Sequence, residues 1–189
     1  MNVYHLSYPN HLYNIKNNEE FSLAIGFFDG VHLGHRAVIQ EALDKGNEMN
    51  LKTAVMTFDP HPSLVLGGRK EQVFYITPLE QKIDILEQMN VDTLFVVRFT
   101  SDFAKLTPVE FIESFIKRAN VKHVTAGFDF SFGAFGKGTM KDMADLSAGE
   151  YSVSVVGKQE MEGDKISSTR IRGALKEGNV EDAKELLGR

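Results

Sequence analysis

One stretch of the sequence, Ser22 to Leu43, limits the possible folds more than any other. Its first part, Ser22–Phe28, is a short and almost wholly apolar run, which is typical of a strand covered on both faces. Asp29 and Gly30 predict a turn, and a helix should begin near Gly34, because apolar residues then recur at helical spacing: Val38, Ile39, Ala42 and Leu43. A strand, a turn and a helix in this order leave free N–H groups at the helix N-terminus. These donors and the helix dipole both favour a bound anion.

Composition excludes several classes of protein. The 189 residues are enough for one domain with a substantial core. The 21 basic and 26 acidic residues give a net charge of −5, which argues against broad electrostatic binding of nucleic acid or of an acidic membrane. The absence of cysteine excludes disulfides and thiolate metal sites. The N-terminus lacks the pattern of a signal peptide, and no apolar run is long enough to span a membrane. We therefore expect a single cytoplasmic domain over residues 1–189.

Apolar runs rich in β-forming residues alternate with helical patterns along the chain. The runs are Ser22–Phe28, Leu51–Phe58, Val91–Phe99, Val121–Phe128 and Tyr151–Gly157. This alternation predicts an α/β fold, a doubly wound parallel sheet with helices on both faces.

Two of the helices have clear start signals. Thr77-Pro78-Leu79-Glu80 and Thr107-Pro108-Val109-Glu110 each offer a threonine N-cap, a proline at the first helical position and a glutamate that completes a capping box. The end of the chain, Ser168 to Leu187, predicts two short helices with a break at Gly178-Asn179.

Unusual segments follow four of the five apolar runs. Ligands of an open parallel sheet bind above the carboxyl ends of its strands, so these segments should meet at one edge. They are GFFDGVHLGH at 26–35, FDPHP at 58–62, GFDFSFGAFGKG at 127–138 and KISSTRIR at 165–172. Together they predict one site.

His32 and His35 are three residues apart at the predicted helix start. They could be a metal pair, although no nearby carboxylate or third histidine completes a coordination set. They could also be structural, each satisfying a backbone group. Their position beside a glycine-bearing turn favours a third reading, in which the imidazoles donate hydrogen bonds to phosphate oxygens.

The segment from Lys165 to Arg172 predicts a second anion site. Ser167, Ser168 and Thr169 before a helix are at minimum an N-cap cluster. Arginine at a helix start is unfavourable for the dipole unless an anion offsets it. Since Arg172 is four residues after Ser168, it can return to the same helix face. The two helix starts together suggest a bound polyphosphate.

The segment Phe128 to Gly138 could be a core strand, because Phe128, Phe130 and Phe132 alternate as they would in one. Its three later glycines favour a mobile loop instead, and aromatic side chains beside a phosphate site suit a flat, conjugated ligand. In the segment at 58–62, Pro60 and Pro62 predict a rigid loop.

Taken together, GFFDGVHLGH, TFDPHP at 57–62, GFDFSFG at 127–133 and ISSTRIR at 166–172 resemble the adenylyltransferase module of prokaryotic FAD synthetases, in the nucleotidylyltransferase superfamily. The resemblance covers nearly the whole chain. It implies a Rossmann-like fold of the nucleotidylyltransferase type. It also implies the reaction of FMN with ATP to give FAD and pyrophosphate, by in-line attack of the FMN phosphate on the α-phosphorus without a covalent intermediate.

The resemblance also assigns residues to roles. It implies that His32, His35, Asp129, Ser168 and Arg172 are catalytic. The residues implied for ATP are Gly26, Phe28, Asp29, Gly30, His32, His35, Lys165, Ser167, Ser168, Thr169 and Arg172. Those implied for FMN are Pro60, Pro62, Asp129 and Phe130. Mg²⁺ would arrive with ATP and keep mainly phosphate and water ligands, with Asp129 as a possible protein ligand and no dedicated metal cage.

Many proteins of this type carry a β-barrel riboflavin kinase domain after the sequence LLGR, and residues 1–189 contain no such module. We therefore expect one FMN adenylyltransferase domain that does not phosphorylate riboflavin. Two other readings stay open. One is a related transferase for another phosphorylated acceptor, such as nicotinamide mononucleotide or phosphopantetheine. The other is a flavin- or nucleotide-binding module without turnover.

Overall fold

The computed structural model describes residues 1–9, 19–66 and 74–189. Its strands in chain order are β1 (Asn2–Leu6), β2 (Phe21–Ile25), β3 (Lys52–Asp59), β4 (Thr93–Arg98), β5 (Val121–Gly127), β6 (Ser131–Phe132), β7 (Gly138–Thr139), β8 (Ser152–Val156), β9 (Glu160–Met161) and β10 (Asp164–Lys165). The α-helices are α1 (Leu33–Met49), α2 (Pro62–Leu66), α3 (Leu79–Gln88), α4 (Pro108–Phe111), α5 (Met140–Asp145), α6 (Ser168–Lys176) and α7 (Val180–Leu187).

Six strands form one sheet in the order β1-β4-β3-β2-β5-β8, and every neighbouring pair in it is parallel. The short strands form two antiparallel pairs, β6 with β7 and β9 with β10. The predicted parallel α/β sheet is therefore confirmed. The edge strand β1 was not predicted, since its sequence NVYHL mixes polar and apolar residues and its burial is only partial.

Two apolar clusters cover the two faces of the sheet. On one face, α1 and α3 pack against the sheet through a cluster that includes Val38, Ile39 and Leu86. On the other face, a larger cluster includes Phe111, Phe115 and Met143 from the α4–α5 region. All five residues of the central strand β2 are buried. This is the doubly wound arrangement that the sequence predicts.

The two predicted capping boxes have different outcomes. The box at Thr107 is confirmed: its side chain accepts from the Glu110 N–H, Glu110 bonds back to Thr107, and Pro108 begins α4. The box at Thr77 is wrong, because α3 begins at Leu79 with Pro78 as the N-cap and has no side-chain cap. Thr77 is instead bonded through its Oγ1 to the Arg189 guanidinium, 3.1 Å away, and is not available to α3.

The C-terminal helices are close to expectation. After α6 the chain passes through Gly178 at φ 78°, and Asn179 caps α7 by accepting from the Asp182 N–H. The segment after β5 differs from a continuous strand, since only Ser131–Phe132 extends before a short 3₁₀ turn at Ala134–Gly136. Within the described ranges, no helix is both long and apolar enough to cross a membrane.

Candidate active site

A cavity of about 600 Å³ lies at the carboxyl ends of the central strands. All four unusual segments contribute to its wall, as predicted. One set of lining side chains, here called the polar group, comprises His32, His35, Asp129, Lys165, Ser167, Ser168 and Thr169. A second set, here called the aromatic group, comprises Phe58, Phe99, Phe103, Phe111 and Phe132, whose rings contact one another in a continuous series.

The turn after β2 folds closely over itself at the cavity wall. A Cβ at Gly26 would lie 2.9 Å from the Phe28 ring, so any side chain at this position would have to displace that ring. Phe28 and Val31 adopt φ values of 53° and 41°, which are uncommon for residues other than glycine, and Gly30 has φ 90°. The turn is therefore held in its shape by the contacts around it.

His32 is the N-cap of α1. Its Nδ1 accepts the His35 backbone N–H at 3.2 Å, so the proton of the neutral ring resides on Nε2. Burial, followed by the charge of Lys165, lowers the pKa of His32 to about 4. The ring is therefore neutral near pH 7 and presents an N–H donor rather than a cation.

His35 stacks on His32 with a distance of 3.5 Å between the ring centroids. Burial and then the neighbouring His32 lower the pKa of His35 well below its ordinary value. Its Nδ1 is buried and has no hydrogen-bond partner within the described part of the chain. The interpretation of the pair as phosphate donors is compatible with this geometry, with both rings acting as neutral groups.

The N-terminus of α6 lies at the cavity wall beside the turn. Ser167 is its N-cap and accepts the Arg170 N–H at 3.2 Å, which is the structural role that the sequence allowed. Ser168 donates through Oγ to the carbonyl of Asp29 at 2.8 Å and so ties α6 to the turn. Lys165 pairs with Asp129 and stands 4.9 Å from the Phe128 ring centroid.

Asp29, Gly30, Pro60 and Arg172 are not part of the cavity wall, although the resemblance implied ligand contacts for them. The Asp29 carboxylate is buried and accepts the N–H groups of Ile76 and Thr77 at 2.9 Å and 3.1 Å. It also pairs with the Arg172 guanidinium, and Arg172 donates from Nε to the Phe74 carbonyl at 3.2 Å. Asp29 thus joins the turn, the segment before α3 and helix α6.

Pro62 and Phe130, which the resemblance implied for FMN, do line the cavity. Phe99, Phe103 and Leu106 line it as well, and the sequence analysis did not select them. A signal for them existed. Phe99 ends the apolar run Val91–Phe99, and the strand-end rule that selected the other segments applies equally to this run.

Lys82 is a further buried residue near the turn that was not predicted from the sequence. It is 3% exposed within α3, and its Nζ donates to the Phe27 carbonyl at 2.9 Å and to Thr57 Oγ1 at 3.1 Å. The only signal in the sequence is a lysine that falls between the apolar positions Leu79, Ile83 and Leu86.

Comparison with known proteins identifies the family of this chain. The family model described as FAD synthetase matches residues 14–170. The chain belongs to the FAD synthetase family. Among curated relatives, a Bacillus subtilis protein named bifunctional riboflavin kinase/FMN adenylyltransferase is 49% identical over 189 residues, which is 100% of this chain and 59% of that protein.

Two proteins from Listeria monocytogenes are also similar to this chain in sequence. One, also named bifunctional riboflavin kinase/FMN adenylyltransferase, is 49% identical over 88% of this chain and 53% of its own length. The other, named FAD synthetase, is 34% identical over 92% of this chain and 70% of its own length. This chain therefore spans between 53% and 59% of the length of the two bifunctional relatives.

A solved structure has the same fold. A Streptococcus pneumoniae chain described as a macrolide-efflux protein superposes with a TM-score of 0.84 at 34% sequence identity, over 97% of this chain and 60% of that chain. The likeness supports the Rossmann-like architecture of this FAD synthetase family member.

Proposed function

We propose that this domain is an FMN adenylyltransferase, which transfers AMP from ATP to the phosphate of FMN and releases FAD and pyrophosphate. One observation carries the proposal. A single cavity in a chain of the FAD synthetase family combines two helix N-termini with a series of aromatic side chains. The helix N-termini of α1 and α6 suit the phosphates, and the aromatic group suits the flat ring system of a flavin.

The chemical step needs no nucleophile from the protein. An oxygen of the FMN phosphate attacks the α-phosphorus of ATP, a new P–O bond forms, and the bond to the bridging oxygen of pyrophosphate breaks. Catalysis of such a transfer consists of positioning and charge stabilisation. We assign the His32 Nε2–H, with His35 beside it, to oxygens of the α-phosphate.

The α6 side of the cavity receives the leaving group in this proposal. Ser167, Ser168 and Thr169 surround the helix N-terminus, and Lys165 adds a positive charge. Arg172 is partly exposed and bonded to Asp29 in this structure. Contact with the β- and γ-phosphates requires its guanidinium to extend toward the cavity. Pro62 and Phe130 are assigned to the isoalloxazine side, next to the aromatic group.

Magnesium enters this proposal as part of the substrate MgATP. The described residues contain no group of three or more His, Asp or Glu side chains arranged to hold a metal ion. Asp129 is the single carboxylate among the described residues that line the cavity, and it is paired with Lys165. This donor set fits an ion whose ligands are mostly phosphate oxygens and water. When bound with ATP, the metal would supply charge neutralisation at the phosphates, and Asp129, which pairs with Lys165, would be its protein contact.

The proposal also covers the location of the protein and the class of molecule that it binds. We infer a cytoplasmic protein that acts on the small molecules ATP and FMN and does not bind nucleic acid, in keeping with the net charge of −5. For residues 1–189 we propose adenylyl transfer as the activity.

The decisive assay incubates the protein with MgATP and FMN and measures FAD and pyrophosphate. Repeated turnover to equimolar FAD and pyrophosphate supports the proposal. At most one equivalent of FAD per protein would favour a binding module, whereas adduct formation only with nicotinamide mononucleotide or phosphopantetheine would favour a sister transferase. Riboflavin with ATP serves as the parallel reaction, and its conversion to FMN would contradict adenylyl transfer as the sole activity of these residues.

A further inference from the structure

Lys82 is a charged side chain within the apolar stripe of α3. It is 3% exposed, between the sheet and the body of the helix. Its ammonium group makes no ion pair with a carboxylate among the residues that the structure describes. Burying a cation without such a partner costs free energy, so the few polar contacts of Lys82 must stabilise its charge.

Those contacts converge on one backbone carbonyl. The Lys82 ammonium donates to the Phe27 carbonyl at 2.9 Å and to Thr57 Oγ1 at 3.1 Å. The Thr57 hydroxyl donates to the same Phe27 carbonyl at 2.8 Å. The Phe27 ring lies 5.0 Å from the ammonium. The carbonyl is thus held by two donors, one from α3 and one from β3.

This carbonyl belongs to the turn that forms the anion-binding side of the cavity. Phe27 and Phe28 both line the cavity, and Phe28 has the unfavourable φ of 53°. In a planar trans peptide the N–H points away from the carbonyl, so fixing the Phe27 carbonyl also fixes the direction of the Phe28 N–H. Within the described ranges, that N–H has no acceptor from the protein.

We propose that Lys82 is a positioning residue for nucleotide binding: it holds the Phe27–Phe28 peptide from behind, so that the Phe28 N–H is presented to an anionic phosphate oxygen in the cavity. This inference rests on the proposed function, since it assumes that a nucleotide phosphate occupies this side. The buried positive charge adds to the attraction for the same phosphates, because the surroundings screen it only weakly.

The electrostatic surroundings give a second observable. Burial lowers the pKa of Lys82 to about 8, and the negative charges of Asp29 and Asp59 oppose this shift in part. The other titratable groups that sense its charge, His35 and His61, have lowered pKa values and are neutral at this pH. The protonated form should bind phosphate more tightly, so affinity for MgATP should fall as the pH rises through about 8.

The test is calorimetric titration of the folded protein with MgATP alone and with FMN alone. Lys82→Met keeps the length of the side chain and removes the charge and the donors. We expect it to weaken MgATP binding by about tenfold or more, with FMN binding changed by less than about twofold. Leu86→Met, a buried change of similar volume on the same helix, is the packing control and should leave both affinities unchanged.

Thr57→Val provides a second variant that does not alter charge. It should weaken MgATP binding in the same direction, and its effect should be less than additive with Lys82→Met because both act on one carbonyl. The decline in MgATP affinity above about pH 8 should disappear in Lys82→Met. If Lys82→Met does not fold, Thr57→Val and the pH profile of the unaltered protein decide the question.

Equal loss of MgATP and FMN affinity in folded Lys82→Met would overturn the proposal, since it would show a merely structural role. Unchanged MgATP affinity in that variant, or in Thr57→Val together with a flat pH profile, would also overturn it. The FAD assay is run separately. Failure of the unaltered protein to form FAD, with the MgATP effects intact, would contradict the proposed function and leave the role of Lys82 supported.

Discussion

The His32 side chain has a different task at each ring nitrogen. Nδ1 caps helix α1 by accepting the His35 N–H at 3.2 Å, and Nε2 carries the proton that the proposed mechanism directs to the α-phosphate. Since the two tasks use different atoms, substitutions can separate them. Asparagine is a favourable N-cap and replaces the acceptor, but it does not replace the imidazole N–H at the same distance.

We expect His32→Ala to reduce kcat by about a hundredfold and to change FMN affinity little, because the lost donor acts on charge that develops in the transition state. The same variant should also lose about 1 kcal/mol of stability with the cap. His32→Asn is the matched control, which should recover stability without recovering turnover. Steady-state kinetics, FMN titration and denaturant unfolding measure the three quantities. Turnover that survives in both variants would contradict the phosphate role.

The lowered histidine pKa values make stability depend on pH. His32 has a pKa of about 4 in the folded protein against about 6.5 in the unfolded chain, so the unfolded state binds more protons between these values. The free energy of unfolding should therefore fall on acidification, by about 2 kcal/mol from this residue between pH 7 and about pH 5. His32→Asn should flatten the profile by that amount in urea titrations. An identical slope in the variant would show that His32 is not the group responsible.

Single residues also mark the limit of what the sequence could predict about the site. His32, His35 and Ser167 could be selected because their roles follow from local helix-start chemistry. The pairing of Asp29 with Arg172 could not, because it joins positions 143 residues apart and depends on how α6 packs against the turn. Lys82 was missed for a related reason. A lysine in a helical stripe has the same local pattern whether it is exposed or buried.

At the scale of whole elements, the same Thr-Pro-x-Glu pattern precedes α3 and α4, but a capping box forms only at α4. Thr107 and Glu110 form the reciprocal pair at α4. At α3 the helix begins one residue later than the pattern predicts, and Thr77 contacts Arg189 instead. The local sequence predicts a capping box at both helix starts. At α3 the box does not form, and Thr77 bonds to Arg189 instead.

This difference gives a matched prediction for stability. Glu110→Ala should lower the free energy of unfolding by more than Glu80→Ala does, because it removes the reciprocal bond to Thr107. Glu80 is the corresponding residue at the start of α3, and Glu80→Ala should change the free energy of unfolding by less than about 0.5 kcal/mol. Chemical denaturation of both variants under one condition gives the comparison. Equal losses at the two positions would mean that the box in α4 contributes nothing beyond the charge near the helix dipole.

The parallel sheet was the element most accessible from sequence, because strands buried on both faces are continuous apolar runs. The edge strand β1 could not be predicted in this way, because its sequence is not a continuous apolar run. The short antiparallel pair of β6 and β7 could not be predicted from apolar runs either. Its strands have two residues each, too few for a periodic pattern, and its form depends on the packing of Phe132 against Phe111.

At the scale of the molecule, the fold brings a polar and an aromatic set of side chains to one cavity of about 600 Å³. This is within the usual range for small-molecule sites. The proposed reaction needs both substrates at the site at the same time. In-line attack requires this arrangement, because the FMN phosphate must stand on the side of the α-phosphorus opposite the departing pyrophosphate. The proposed mechanism therefore requires one ternary complex and a single displacement.

We accordingly predict that no exchange of labelled pyrophosphate into ATP occurs without FMN. Exchange would need a covalent adenylyl-protein that forms before FMN arrives. Ser167 and Ser168 are poor candidates for that nucleophile, because their hydroxyls already hold the Arg170 N–H and the Asp29 carbonyl. Initial rates should show sequential kinetics in both substrates. Exchange in the absence of FMN, abolished by Ser168→Ala, would instead establish a double displacement, in which ATP and FMN bind one after the other.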